Sequence, residues 1–352
     1  MLLLNMQLGG FLVGGILWGA IGDKKGRSAA LIFSILCYSL ANIANGFVQT
    51  IEAYALCRFI AGVGLAGELG AAITLVMEGL PKEKRGIGAM FITALGLLGS
   101  VIAALTGGFL SWRHLYILGG VMGLVLLFAR SSIKDSMLFI ESKSKNVTRG
   151  NFLEFFKSFR LFKQFLTCFL IGIPHYFFFA VLLTLSPEIG KEMGVAEPVS
   201  VRYILIIYGV FLGFGDLSST FFSQFIKSRK KVIITFLIGA SIVALLFYVV
   251  DIKSVVAFYM LFGAMGFFAG YVMLTPVIAA ETFGTNLRVT AASTVTNFVR
   301  GSAILMNIGV AHLKYLGIIT ATEIVAGVVM SLALVAAFSL KETFNKDMNF
   351  LD

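Results

Sequence analysis

The chain has 352 residues, 58% of them hydrophobic and only 13% charged, with a mean hydropathy of +0.94. A soluble domain carries roughly a quarter charged residues, so a water-soluble globule, a disordered chain and a secreted disulfide scaffold are excluded. The net charge of +10 has no soluble basic domain to carry it, which removes nucleic acid as a partner and leaves lipid topology as its source.

Apolar runs between charged or turn-forming clusters predict spans at 2–22, 29–48, 53–79, 86–109, 114–130, 162–185, 203–226, 232–250, 255–280, 291–312 and 318–340. Lipid offers backbone groups no water, and the alternation of a β-barrel is absent, so these runs must be helices. The expectation is an all-α polytopic membrane protein with about eleven transmembrane helices. Cys37, Cys57 and Cys168 each lie in an apolar run and have neither disulfide nor metal-ligand spacing; no cofactor and no metal is expected.

Of the 28 Lys and Arg, 21 fall in one set of connections. Five fall in the other set (Arg113, Lys191, Arg202, Lys253 and Lys314), and Arg58 and Arg300 lie inside spans. This bias places the first set, with the central loop and the carboxyl terminus, in the cytoplasm of a cell whose plasma (inner) membrane holds the chain. The polar segment 130–163 divides the spans into five and six. The expected parts are an N-terminal bundle (1–130), a cytoplasmic central loop (131–161) and a C-terminal six-helix bundle (162–352). The halves echo each other: Glu78 precedes Arg85 by seven residues at the end of the third span, and Glu281 precedes Arg288 likewise at the end of the ninth. Parallel repeats about an axis along the membrane normal give this pattern.

The turn Gly19-Ala20-Ile21-Gly22-Asp23-Lys24-Lys25-Gly26-Arg27-Ser28 crowds an acid and three bases at a membrane edge. It resembles the loop signature of the major facilitator superfamily. Arg58 to Glu68, followed by Glu78, Pro81, Arg85 and Gly86, is similar to that family's fourth helix and its exit. Glu281 to Arg288 looks like its tenth helix end. The likeness extends over essentially the whole chain and is closest to the sugar-porter and organic-ion or metabolite:proton symporter branches. It implies two bundles rocking about a midplane site. The family places its signature after a second helix, so its first helix is expected to be missing here, and Ser28 stands where the family has a base. Asp23 can accept hydrogen bonds from a facing helix N-terminus, with Gly19 and Gly22 allowing close approach. Gly19, Gly22, Asp23, Lys24, Gly26, Arg27, Glu78, Arg85, Glu281 and Arg288 are therefore the expected gate residues.

Ionisable groups within spans are expensive unless paired or facing a cavity. Glu68 is the first candidate for proton coupling; Asp216 is either a second one or a structural latch of the second half. Arg300 has no acid near it in sequence and should meet one from another helix, or the carboxylate or phosphate of a solute, with Asn297 one turn away. Arg58, His175 and Tyr176 are further substrate candidates, the last two beside Pro174, which can bend a helix around a cavity. Gln7, Tyr271 and Thr275 are weaker ones. Gly62 to Gly67 spells a dinucleotide fingerprint, but inside a span it reads as a smooth packing face. Asn146-Val147-Thr148 is a glycosylation sequon in a cytoplasmic loop and should be unused.

The expected activity is secondary transport of a small polar organic solute, anionic if Arg300 binds it, coupled to protons, by a monomer in the bilayer and not by an enzyme. The alternative is a non-transporting sensor or an inactive truncated relic. Site-directed labelling should find the Asp23 turn and the 130–163 connector on the same membrane face; opposite faces would break the topology.

Overall fold

The computed structural model describes residues 2–107, 109–130, 135–143 and 147–352. Asn146 of the sequon, and residues 131–134 at the start of the central loop, lie outside them. Each predicted stretch holds helix among the described residues, though 29–48, 203–226 and 232–250 end in turns or bends and 255–280 is interrupted at 270–273. The first half holds α1 (Leu2–Lys24), α2 (Arg27–Asn45), α3 (Ile51–Gly79), α4 (Arg85–Gly107) and α5 (Trp112–Arg130). Short helices α6 (Met137–Lys143) and α7 (Glu154–Lys157) lie in the central loop. The second half holds α8 (Phe159–Tyr176), α9 (Leu183–Glu192), α10 (Val201–Phe225), α11 (Arg229–Val249), α12 (Val255–Ala269), α13 (Leu274–Thr282), α14 (Arg288–Leu313) and α15 (Ile318–Ser339). No strand occurs among the described residues.

Two pairs of helices form continuous rods. A π-helical segment, Phe177–Leu182, joins α8 to α9, and a short turn joins α12 to α13. The first rod runs past its expected end at 185 because Pro187 does not stop it: the Leu183 carbonyl that Pro187 cannot serve accepts the Ser186 hydroxyl instead, at 2.7 Å. Eight rods are long and apolar enough to cross a membrane: α2, α3, α5, α8–α9, α10, α11, α12–α13 and α15. α14 is more polar, with Thr290, Thr294, Asn297 and Ser302 all buried against neighbouring helices rather than turned to lipid.

The halves pack by different means. In the first, α1 lies on α3 through small residues: a Cβ added to Gly10 would stand 2.2 Å from the Phe59 carbonyl oxygen, and one on Gly14 2.3 Å from that of Val63. Backbones this close gain dispersion contacts that lipid cannot replace. In the second half aromatic rings fill the core, as in the stacked pair Phe155–Phe165 with centroids 5.1 Å apart and the Phe247–Phe258–Phe262 group. The bundles meet where α14 lies against α1 and α3.

Gly14→Leu should lower thermal stability in detergent by about 1–3 kcal/mol or more, because the Val63 backbone and the Ala66 methyl, which has no rotamer to give way, oppose the new side chain. Gly209→Ala, where a Cβ meets open space, should leave stability unchanged or raise it.

Candidate functional site: a buried latch and the cavity beyond it

At the basic end of the bundles, α1 and α14 converge on Asp23. Its carboxylate accepts the main-chain N–H of Val289 (3.1 Å) and of Thr290 (2.8 Å), and the Thr290 hydroxyl at 2.7 Å. These are orphan donors of the α14 N-terminus, and a carboxylate also suits the positive end of that helix. The approach depends on two glycines. A Cβ on Gly19 would stand 2.7 Å from the Thr290 Cα, and one on Gly22 2.6 Å from a Val289 methyl.

Arg27 lies 3.5 Å from Asp23 and grips Glu78 with two nitrogens, at 3.0 and 2.8 Å. Glu78 also receives Arg288 at 2.6 Å and the Ser136 hydroxyl. Arg27 comes from the first bundle and Arg288 from the second, and both are fully buried. Arg85, in contrast, donates to the main-chain carbonyls of Met77 (3.0 Å) and Lys346 (2.9 Å). Lys24 is exposed, and Gly26, with φ 121°, makes the turn into α2. A matching unit stands in the second half. Arg229 pairs with Glu281 at 3.2 Å, and Thr343 donates to the same carboxylate at 2.7 Å.

From the Glu78–Arg288 contact, Glu68 lies ten residues back along α3 and Arg300 twelve forward along α14, which is about 15 and 18 Å at the usual rise. Both line one cavity of about 720 Å³ walled by the two bundles, together with Gln7, Phe11, Arg130 and Tyr176. Glu68 pairs with Arg130 at 3.2 Å. Arg300 donates to the Tyr176 hydroxyl at 3.0 Å and to the Asn297 side-chain oxygen at 3.4 Å, and packs over the Phe11 ring. Among the described residues no carboxylate comes within ion-pair distance of Arg300.

A smaller chamber of about 170 Å³ adjoins the cavity, lined by His175, Tyr176, Asp216, Thr275, Thr296 and Arg300 among others. It lies where the α12–α13 rod is interrupted. Gly270 at that interruption touches α10 so closely that a Cβ would stand 2.3 Å from the Asp216 nitrogen, and the Ser219 hydroxyl donates to the Gly270 carbonyl at 2.6 Å. His175 shares a hydrogen bond with Tyr208 through Nδ1, at 3.1 Å.

The remaining candidates are placed elsewhere. Asn297 donates to the Ala66 carbonyl of α3 at 2.8 Å and to Ser293 at 2.7 Å, so its amide nitrogen spans the bundles instead of facing the cavity. Arg58 lines neither space and stands over the rings of Tyr54 and Tyr116, 5.6 and 5.3 Å from their centroids. Asp216 stands at the chamber, apart from the latch. Tyr271 donates to the Ile171 carbonyl at 2.7 Å, a packing bond. Sequence reasoning missed Arg130, counted there as a loop cation; as the last residue of its helix its long side chain turns back to reach Glu68. Ser136 and Phe11 carry no sequence signal at all.

A helical chain with two bundles, buried ionic contacts across one end and between them a largely apolar cavity bearing Glu68, Arg130 and Arg300 is built as a membrane carrier. The family profile of the major facilitator superfamily matches residues 1–308, and the chain belongs to that family of membrane transporters. It is 28% identical to the sialic acid transporter NanX of Escherichia coli over 287 residues, covering 78% of this chain and 68% of that one. It is 25% identical to the putative niacin/nicotinamide transporter NiaP of Bacillus subtilis over 305 residues, covering 83% and 73%. Among solved structures, the E. coli fucose:proton symporter FucP superposes with a TM-score of 0.77 at 14% identity, over 97% of this chain and 90% of its own. The proton:xylose symporter XylE gives 0.73 at 16%, over 98% and 86%.

Glu78→Gln removes the charge that two buried arginines share, and should cost about 3–5 kcal/mol in thermal unfolding. Asp23→Asn should leave the protein inserted and folded, but increase thiol labelling of a Ser293→Cys reporter inside the latch and slow transport.

Proposed function

We propose that the chain is a secondary active transporter that moves a small polar organic anion by alternating access, with a proton as the coupling ion. In this reading α1, α4 and α14 cross the membrane with the eight other rods, the basic loops and the carboxyl terminus face the cytoplasm, and the protein works as a monomer in the plasma membrane. The observation that carries the reading is Arg300: a guanidinium at the depth of the bundle centre, on the wall of a 720 Å³ cavity, held by Tyr176 and Asn297 but by no acid among the described residues. A cation kept in that position is matched by an anion that comes and goes. Sialic acid and niacin, named for two relatives, are both carboxylic acids, which supports the solute class.

Glu68 and Arg130 supply the coupling step of this reading. Their ion pair spans α3 and α5 on the cavity wall. Protonation of Glu68 would release Arg130 and change what the cavity presents, so proton and solute act on one surface. The latch holds the basic end shut in the state described here, and transport requires Arg288 and the α14 N-terminus to leave Glu78 and Asp23.

The test is uptake of labelled N-acetylneuraminate and nicotinate into proteoliposomes with and without an imposed pH gradient. The gradient should drive accumulation, and Arg300→Ala should lower solute affinity about 10- to 100-fold, the loss of a hydrogen bond to a charged group. A flux indifferent to the gradient would remove the proton from the mechanism.

A further inference from the structure

The small chamber holds polar atoms that neither the latch nor the Glu68–Arg130 pair uses. Asp216 is 7% exposed and Thr275 2% exposed, and each has a buried oxygen, Oδ1 and Oγ1 respectively, without a hydrogen-bond partner. The two residues come from different elements, α10 and the start of α13, and the turn at 270–273 between α12 and α13 brings them to one space. Buried polar atoms are paired in nearly all folded proteins, and an apolar side chain at 216 would avoid the unmet bond altogether. A ligand that brings a donor meets it.

Position and size narrow what that ligand is. The chamber shares Leu69, Tyr176, Met273 and Arg300 with the wall of the main cavity. Its 170 Å³ is about the size of a cavity that holds one benzene ring, enough for a substituent or a single small ring but not for a solute as large as a sugar acid. A carboxylate held by Arg300 from the main cavity would place a neighbouring group at the chamber mouth. Arg300 on the shared wall opposes a metal cation there, and a neutral hydroxyl, or an ammonium balanced by the solute's own carboxylate, does not suffer that repulsion.

We propose that Asp216 and Thr275 form a donor subsite, and that the solute is a carboxylate bearing a hydroxyl or ammonium group close to its acid. This rests on the reading of Arg300 as the anion site and deepens it. Arg300 fixes the acid, Asp216 accepts the neighbouring O–H or N–H, and Thr275 completes the pair. Plain carboxylates of the same shape bind poorly, because they leave both oxygens unmet; sites built around a substrate donor discriminate strongly against analogues lacking it.

The experiment is calorimetric titration of the purified full chain with two matched pairs, 1-hydroxycyclohexanecarboxylate against cyclohexanecarboxylate and phenylalanine against 3-phenylpropanoate. The donor-bearing member of at least one pair should bind about 100-fold more tightly, and Asp216→Asn should bring it down towards the level of the plain acid. Thr275→Val, which keeps the side-chain shape, should lower it by about tenfold, and keeps the test intact if Asp216→Asn does not fold. Arg300→Ala should weaken both members of a pair together. Equal affinity within both pairs, or a preference untouched by either chamber variant, overturns the subsite alone. No binding of any of the four acids overturns the anion site and the subsite with it, and a preference that appears only with added sodium replaces the donor by a metal ion.

Discussion

Glu78 is a carboxylate with no access to solvent, shared by an arginine from each bundle, and the closed end of the molecule is organised around its charge. A buried charge is tolerable only while its partners stay in place. Arg27 belongs to the same bundle as Glu78 and stays with it in any rocking motion. Arg288 does not, so α14 cannot leave α3 without uncovering charge on both sides. Asp23 adds a second acid and binds the main chain of α14 within one or two residues of Arg288. Two buried acids and two buried bases thus meet in this arrangement, and in the proposed function they would part together and not by degrees.

The same unit is built twice. Arg229, Glu281 and Thr343 in the second bundle repeat Arg27, Glu78 and Ser136 in the first, and each arginine lies over a phenylalanine, Phe139 at 4.6 Å and Phe344 at 5.1 Å. Arg85 and Arg288 also correspond, each donating to a main-chain carbonyl eight residues earlier, Met77 and Ala280. The repeat is imperfect in one instructive place. Four residues before Arg27 stands Asp23; four before Arg229 stands Phe225. On the flank where Asp23 works, α1 and α14 touch backbone to side chain. On the opposite flank α4 and α10 leave an apolar groove of about 580 Å³ lined by Phe91, Phe221 and Phe225. The chain beyond α15 then ties both halves: the Lys346 carbonyl accepts from Arg85 of the first and the Met348 carbonyl from Arg288 of the second.

The helices were legible in the sequence because lipid imposes the strongest of all local rules: a run of some twenty apolar residues has no other stable form. The buried contact at the Asp23 turn was legible because that turn concentrates unusual residues in ten positions. What the sequence could not show was which side chains share a space. Glu68 and Arg130 are 62 positions apart, and nothing in α5 marks its terminal arginine as turned inward rather than out to the loop. Asn297 sits one turn from Arg300 and does touch it, yet its amide nitrogen reaches across to Ala66, a partner fixed by the approach of two helices that no spacing encodes. Arg58 is charged within a span, and two tyrosine rings flank it, one four residues before it on α3 and one on α5, a contact between helices that its own run of sequence does not encode.

The latch and the cavity are not separate devices, because α3 and α14 carry both. Glu78 and Glu68 lie on one helix, Arg288 and Arg300 on the other, and the Asn297–Ala66 bond joins the two helices at the cavity's own level. A solute shifts the equilibrium between closed and open forms only by contacts that differ between them. In the proposed function, a carboxylate seated on Arg300 in the space that Glu68 also lines would make such contacts. It would change what holds α3 and α14 together at mid-depth, while Glu78 and Arg288 hold the same two helices together about 15 to 18 Å away. Because α14 runs unbroken for 26 residues between these levels and beyond, a tilt that relieves one contact must load or unload the other. In the proposed function, communication between solute and gate would therefore need no chain of intermediates: a single pair of rods, clamped at one end by buried charges and bridged near the middle by the cargo, would be sufficient.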